Sequence, residues 1–439
     1  MAHDELAGRV DVLVIGAGVN GLCVARALQR RGREVTVVSR DPVGQGASAG
    51  NAGMVVPSHI VPLAAPGVIA QGLRWMLNPA SPFHIRPRLD ADLARWLWLF
   101  RRHCTDAHVD RSVPVLRDLG LASVDAFAAL QRDIGDVGYA QTGLLMAYRT
   151  DKGRKADLEL ADRAEAVGLE VERLDAAALA ALDPTLDPAL QGAVLHRHDG
   201  RVDPDALLRR LAAALARDGA AMHGGTEVTD VSPLPDGRMR VGTSSGTVEA
   251  ETVVLAAGSW TAPLVRPLGV RLPLQPAKGY SVTVETHPRT PIPTLPVIFT
   301  DDKVTVTPLP GRLRFTGTLA LTGFDPSVDA RRAAPIRRLA ERYAPDAVDV
   351  EMWSGYRPCS PDGLPFIGPV PGHPNALVAT GHGMMGVMLA PITGELVAAM
   401  AMGEAGALDA SPFRPDRFSR SGGRPRRPSS RRVAPPAGR

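Results

Sequence analysis

Six residues near the start of the chain have the types and the spacing to hold a diphosphate. Gly16-Ala17-Gly18-Val19-Asn20-Gly21 is a G-x-G-x-x-G. It follows an apolar run of strand length, Val10 to Ile15, and opens an amphipathic stretch, Val19 to Arg31, that reads as a helix with Gly32 as its C-cap. A second apolar strand, Val35 to Val38, completes a β-α-β unit, the context in which the hexapeptide becomes a dinucleotide fingerprint. Gly16 permits the tight turn, Gly18 lets a pyrophosphate approach the backbone, and Gly21 lets the helix pack on the sheet. The helix N-terminus adds N–H donors and a positive dipole end. An acidic residue usually ends the second strand and takes the ribose hydroxyls. Here Ser39 stands there, followed by Arg40 and Asp41. A serine hydroxyl still bonds a ribose oxygen, whereas Arg40 suggests a 2′-phosphate and leaves NADP open.

Two stretches near the other end are dense in special residues. The first is Trp353 to Pro369, W-S-G-Y-R-P-C-S-P-D-G-L-P-F-I-G-P. Arg357 is its chemical centre: a planar guanidinium makes two parallel bonds to a carboxylate, each contributing about 1.5–3 kcal/mol. The bland alternative is a surface arginine, or one paired to Asp362. The second stretch, Ala379 to Met400, reads as a strand (Ala376 to Thr380), a glycine-histidine turn, and a helix from about Met385. A helix start beside glycines concentrates N–H donors at one point. That suits the N1–C2=O edge of a flavin, which gains negative charge on reduction. His382 in this turn is read as a ring contact ahead of acid–base work. Tyr280 and Lys278 are weaker candidates, since a strand tyrosine is usually packed and a lysine solvated. Cys359, between Pro358 and Ser360, reads as a small packed residue.

Several elements must position these groups. Gly44 to Gly53, G-Q-G-A-S-A-G-N-A-G, lets backbone lie against a flat or extended ligand, with Ser48 and Asn51 as donors. Helical periodicity follows near Val68 to Leu77, Leu93 to Cys104 and Val115 to Ile134. Trp96, Trp98 and Phe100 share one of these helices, as core or as a greasy face for a membrane or quinone. Asp203 caps a helix that opens on Pro204. Thr252 to Leu255 is an apolar strand ending in Ala-Ala-Gly-Ser-Trp, and Leu272 to Thr318 reads as antiparallel strands rich in Val, Thr and Pro.

The 439 residues are enough for two domains or for one with a large insertion, and the 45% hydrophobic fraction suits a globular chain with a core. The net charge of +4 is misleading. From Ser419 on there are seven arginines and no acids; removing those charges leaves −3 on the rest. A nucleic-acid partner is therefore disfavoured. Three scattered cysteines, Cys23, Cys104 and Cys359, make neither a metal spacing nor a disulfide framework, so no metal is expected and a reducing compartment fits. The N-terminus lacks the apolar region of a signal peptide, and no run of about 18 apolar residues occurs. A cytoplasmic location follows. The Arg, Pro, Ser and Gly tail reads as disordered, with contact to the inner face of a membrane as its alternative to plain solvation.

The chain resembles the flavin-dependent D-amino-acid dehydrogenases and, more broadly, the glycine, sarcosine and D-amino-acid oxidase superfamily. Five motifs in order carry this: G-A-G-V-N-G at Gly16, S-A-G-N-A-G at Ser48, A-K-G-Y-S-V-T at Ala277, S-G-Y-R-P-C-S-P-D-G-L-P-F-I-G at Ser354 and T-G-H-G at Thr380. The resemblance implies an α/β fold: a Rossmann-like FAD-binding domain (1–60, 190–270 and 350–418) and a mainly antiparallel-sheet substrate domain with helices (61–189 and 271–349), before the tail at 419–439. It implies FAD held at its diphosphate by Gly16, Gly18 and Gly21, with Ser39 and Arg40 near the ribose. Ser48, Asn51, Ala52 and Gly53 would lie along the diphosphate and ring, Val228 would meet the adenine, and Gly258 would touch the cofactor. Gly381, His382, Gly383, Met384 and Met385 would surround the pyrimidine edge. Arg357 matches the arginine that holds the substrate carboxylate, with Tyr280 and His382 as further active-site residues. The implied reaction is oxidative deamination of a small amino acid, D-configured, with hydride passing from Cα to flavin N5 and electrons onward to a quinone or other carrier. An oxidase acting on glycine, sarcosine or a hydroxyproline-type secondary amine with O₂, and a subunit of a heteromeric dehydrogenase, are the alternatives.

Overall fold

The computed structural model describes residues 8–76, 81, 83–287, 291–345 and 350–419. The expectations for the basic tail beyond Ser419 lie outside the described residues. β1 (Gly8–Ile15), α1 (Val19–Gln29) and β2 (Val35–Ser39) form the anticipated unit. Val12 to Ile15 are buried, as the near-continuous apolar run of a parallel strand covered on both faces requires. β1 is central in an eight-stranded sheet. It lies parallel to β2 and to β3 (Gly246–Leu255), with Ile15 level with Val38 and Leu255. The strand His373–Thr380 runs parallel to the end of β3, Leu255 opposite Val378. Four parallel strands thus finish at one edge, where such sheets meet their ligands.

The second sheet has nine strands and is mainly antiparallel. Its spine is β4 (Gln275–Glu285), flanked by β5 (Arg312–Leu321) and by β6 (Val350–Cys359), the latter in an unbroken register from Gln275 opposite Cys359 to Val284 opposite Val350. Side chains alternate across a strand. Arg357, Gly355 and Trp353 therefore share a face with Ala277, Gly279 and Ser281. Tyr280 points to the other face, into a core completed by the helix Ala330–Tyr343.

Two stretches group differently from the sequence-based division. Gly192–His196 pairs on both edges within the second sheet, and β6 pairs along its whole length with β4 at the end of that sheet. The expectation placed 190–270 and 350–418 with the nucleotide fold. An apolar run does not carry the identity of its partner; register with distant strands decides it.

Two helices frame the ligand space and a third braces α1. α2 (Val68–Met76) and α3 (Ala91–His103) cover one end of the second sheet, α3 capped by Asp90, whose carboxylate accepts from the N–H groups of Asp92 and Leu93. α4 (Ala390–Met402) packs on α1 so closely that a Cβ at Gly394 would stand 2.7 Å from Cys23 O. α4 starts five residues later than anticipated. Residues 383–385 form a single 3₁₀ turn, and the α-helix begins where Pro391 occupies its first turn, a position that suits a residue without an N–H.

Candidate active site

A groove of about 200 Å³ follows the carboxyl edge of the first sheet. Gly16, Gly18 and Asn20 line it, with Ser39 and Arg40 from the end of β2, Val228, Gly258 to Trp260 beyond β3, and the His382-Gly383 turn. Gly16 has φ 112°, and a Cβ there would stand 2.5 Å from Ala256 O. At Gly21 a Cβ would stand 1.8 Å from Gly16 O, so this glycine works by packing and does not line the groove. Gly18 is extended and meets only Ser48 Oγ, which accepts from Val19 N–H at 3.1 Å. Asn20 Oδ1, Ser259 Oγ and Tyr356 Oη line the same groove and are buried without a hydrogen-bond partner. Buried polar atoms are normally paired. A helix end, a glycine turn and orphaned polar atoms along one groove fit a dinucleotide such as FAD. Arg40 is engaged by Asp41 at 3.0 Å and stacks at 4.4 Å over Trp260, so the feature that suggested NADP has its charge already partnered.

The groove opens into a cavity of about 930 Å³ between the two sheets. Ala47, Asn51 and Arg357 line both spaces. Arg357 is half-buried, and burial lowers its pKa from the usual guanidinium value. Its Nη1 donates to Thr318 O at 2.6 Å, and its guanidinium lies flat on Gly279, where a Cβ would stand 2.4 Å from Cζ. Thr318 sits in a bulge of β5 against β4 with φ 67°, a left-handed conformation rare for a β-branched residue. Among the described residues no carboxylate forms an ion pair with Arg357; Asp362, the alternative partner, is held by Arg417 at 2.7 Å. A guanidinium at a junction, anchored on one nitrogen and unpaired in charge, can take a carboxylate.

The histidine turn meets both parts. Asn20 Nδ2 donates to Gly386 O at 3.1 Å, and His382 forms a bridge with Cys359 in β6. The amino-terminal nucleotide unit and the carboxyl-terminal turn therefore face one space. His382 is buried, its Nε2 lies 3.0 Å from Thr393 Oγ1 in α4, and burial pushes its pKa down to about 3. It is a neutral imidazole tied to the helix, placed to hold the turn.

The FAD dependent oxidoreductase family designated DAO matches residues 11–400. The chain belongs to this family. FAD is its cofactor, and it is an FAD-dependent oxidoreductase. Its relatives include a D-amino acid dehydrogenase of Granulibacter bethesdensis, 33% identical over 402 residues, 90% of this chain and 96% of that protein. Another, from Methylobacterium nodulans, is 35% identical with the same coverage. The solved structure of glycine oxidase from Geobacillus kaustophilus is similar with a TM-score of 0.75 at 28% identity, over 93% of this chain and 98% of that one. Iminodiacetate oxidase from a Chelativorans species shares the fold (TM-score 0.69, 24% identity, 92% and 98% covered). Among the described residues no helix is long and apolar enough to cross a membrane, and no group of side chains has the makings of a metal site.

For this family member the remaining anticipated residues fall into two sets. Ala52, Met384 and Met385 line the large cavity, as does Asn51, whose Oδ1 accepts from Gly53 N–H at 2.8 Å. Gly53 and Gly381 do not reach either space: a Cβ at Gly53 would strike Val202 O at 2.4 Å, and one at Gly381 would strike the Phe366 ring at 2.7 Å. Both glycines shape turns. Tyr280 touches the cavity, but its hydroxyl accepts from Asp329 N–H at 3.3 Å and the residue is buried in the second core. Trp353 and Thr318 are not among the expected site residues, and the aromatic face of α3, read as core or as a surface for a membrane or quinone, instead lines the large cavity with α2. Trp353 had a legible signal, since its indole occupies space left only by the glycines at 50 and 355. Thr318 had none, because a bulge is a property of strand pairing.

Proposed function

We propose that the protein oxidises the Cα–N bond of an amino acid, D-configured as the names of its relatives suggest, and that Arg357 holds the substrate carboxylate. The observation that carries this is the place of Arg357: at the mouth of the nucleotide groove, in the wall of the large cavity, without a carboxylate partner among the described residues. When bound, FAD supplies the two-electron acceptor for the hydride that leaves Cα. Gly16, Gly18, Ser48 and the α1 N-terminus would hold its diphosphate; Ala52, Met384 and Met385 would lie along its ring. Thr318 O fixes one edge of the guanidinium, leaving the other N–H groups to orient the carboxylate and so set the direction of the Cα–H bond. The apolar surroundings disfavour an ammonium, so the substrate reacts with a neutral amine. His382, neutral and tied to Thr393, is not asked to act as a base. The imine product leaves and hydrolyses to a 2-oxo acid and ammonia, and the electrons pass to a quinone or other carrier.

Arg357→Ala should bind FAD as wild type does and raise the substrate KM about a hundredfold or more, from the loss of two charge-assisted bonds. Unchanged kinetics would remove Arg357 from the account. Likeness to a glycine oxidase favours a second reading, with O₂ as acceptor. Stoichiometric peroxide release under air would select it.

A further inference from the structure

We infer that the substrate of this site carries a large apolar side chain, of the leucine, methionine or phenylalanine class, and that α2, α3 and the strand Phe83–Ile85 form its pocket. This rests on the amino-acid reading above and replaces the small substrate anticipated from the chain alone.

The pocket starts beside Arg357. Thr318 O holds its guanidinium, and the next residue, Leu319, lies in the cavity wall opposite Phe83. On the other flank Trp96 of α3 donates from Nε1 to Cys359 O at 2.9 Å, two residues from Arg357. From there the wall continues as Leu97, Trp75 and Leu73. Gly72 lets the Phe83 ring lie on α2, since a Cβ there would stand 3.1 Å from that ring.

The two polar groups nearest Arg357 in this wall are already satisfied. Trp96 Nε1 is bonded, and Arg88 donates to Asp90, Gln275 and Leu321 O. The polar liners left over on α2 and α3 are Gln71 and Trp75, both half-buried, and Arg101, which is exposed; His59, whose Nδ1 is buried without a hydrogen-bond partner, lines the same cavity outside these helices. A polar side chain held against α2, α3 and Phe83–Ile85 would lose water and gain few partners. By contrast Leu73 is 61% exposed on a helix that faces the cavity rather than protein. An apolar substituent on Cα, fixed by a carboxylate on Arg357, would cover it.

The test uses the FAD-loaded enzyme with a soluble dye acceptor and D-alanine, D-serine, D-leucine and D-phenylalanine. The expected result is a kcat/KM for the two large apolar substrates roughly tenfold or more above that for D-alanine, with D-serine lowest. Leu73→Asn, at an exposed position, and Leu97→Gln should each narrow the leucine-to-alanine ratio several-fold with FAD content unchanged. A preference for D-alanine or D-serine would overturn the inference and leave the amino-acid reading standing. Wall variants that keep the ratio but slow reduction of a soluble quinone would also overturn it, by giving the wall to the electron acceptor. Flavin that no amino acid reduces would overturn the amino-acid reading itself, and the inference with it.

Discussion

Arg357 is fixed by what lies around it rather than by a charge partner. Thr318 O holds one edge, and Gly279 offers a flat floor. That floor makes a sharp prediction. The atom that a Cβ at residue 279 would strike is the far end of a flexible side chain, so in Gly279→Ala the guanidinium swings aside and the strand stays. Stability should change by less than about 1 kcal/mol, while KM rises at least tenfold, read from steady-state kinetics beside a thermal melt. His382 gives a second prediction at this scale. A free imidazole takes up a proton below about pH 6.5, but in the folded chain burial delays this to about pH 3. Between these values the unfolded chain binds the extra proton, so acid destabilises the fold through this residue by up to about 1.4 kcal/mol per pH unit. His196, held to about 4 by burial, acts in the same sense; Asp199, raised to about 7 by burial, acts in the opposite one. In His382→Gln the wild-type advantage, measured by denaturant midpoints, should shrink as pH falls from 6.5 to 4. A constant difference would contradict the buried neutral imidazole.

At the scale of elements, α1 and α4 meet at Gly394. The atoms that a Cβ there would approach are backbone, Cys23 O at 2.7 Å and Cys23 C at 2.8 Å, and they cannot give. Alanine favours a helix over glycine by about 1 kcal/mol, but overpacking costs about 1–3 kcal/mol. Gly394→Ala should therefore lower Tm by about one to two degrees and weaken FAD retention, because α1 opens on the proposed diphosphate site. A stabilised variant would show that the helices part freely. This scale is also where the sequence was most legible. The glycine turn, both flanking strands and the helix capped by Asp203 follow from period, caps and Pro204. Local chemistry specifies local structure. What was not legible depends on pairing: β6 joins the second sheet through its register with β4, and the delayed start of α4 reflects a 3₁₀ turn against α1.

At the scale of the molecule, two sheets close on one space. The first brings the carboxyl ends of β1, β2 and β3 to the groove; the second brings β6, with Tyr356 and Arg357, to the same groove. The expected meeting of the nucleotide unit and the histidine turn takes physical form in the hydrogen bond from Asn20 to Gly386 O, and the bridge between His382 and Cys359 joins that turn to the second sheet. Residues named for cofactor contact divide into liners, such as Gly16 and Gly383, and turn-formers, such as Gly53 and Gly381, because a glycine pattern does not distinguish approach by a ligand from approach by the protein's own chain. With walls drawn from both sheets, FAD should stabilise the whole chain as one unit. Added at about a hundred times its Kd it contributes about 2.7 kcal/mol, and a single calorimetric transition should move upward. Two transitions, with only one moving, would confine the cofactor to the first sheet.

The most direct measurement is anaerobic rapid mixing of the FAD-loaded protein with D-amino acids, followed by the visible absorbance of the flavin. The wild type should bleach at a rate that saturates with substrate. Arg357→Ala, equally yellow at the outset, should need about a hundredfold more substrate to reach half that rate. A protein that binds no FAD, or whose flavin is bleached by amino acids equally well without Arg357, would contradict the account.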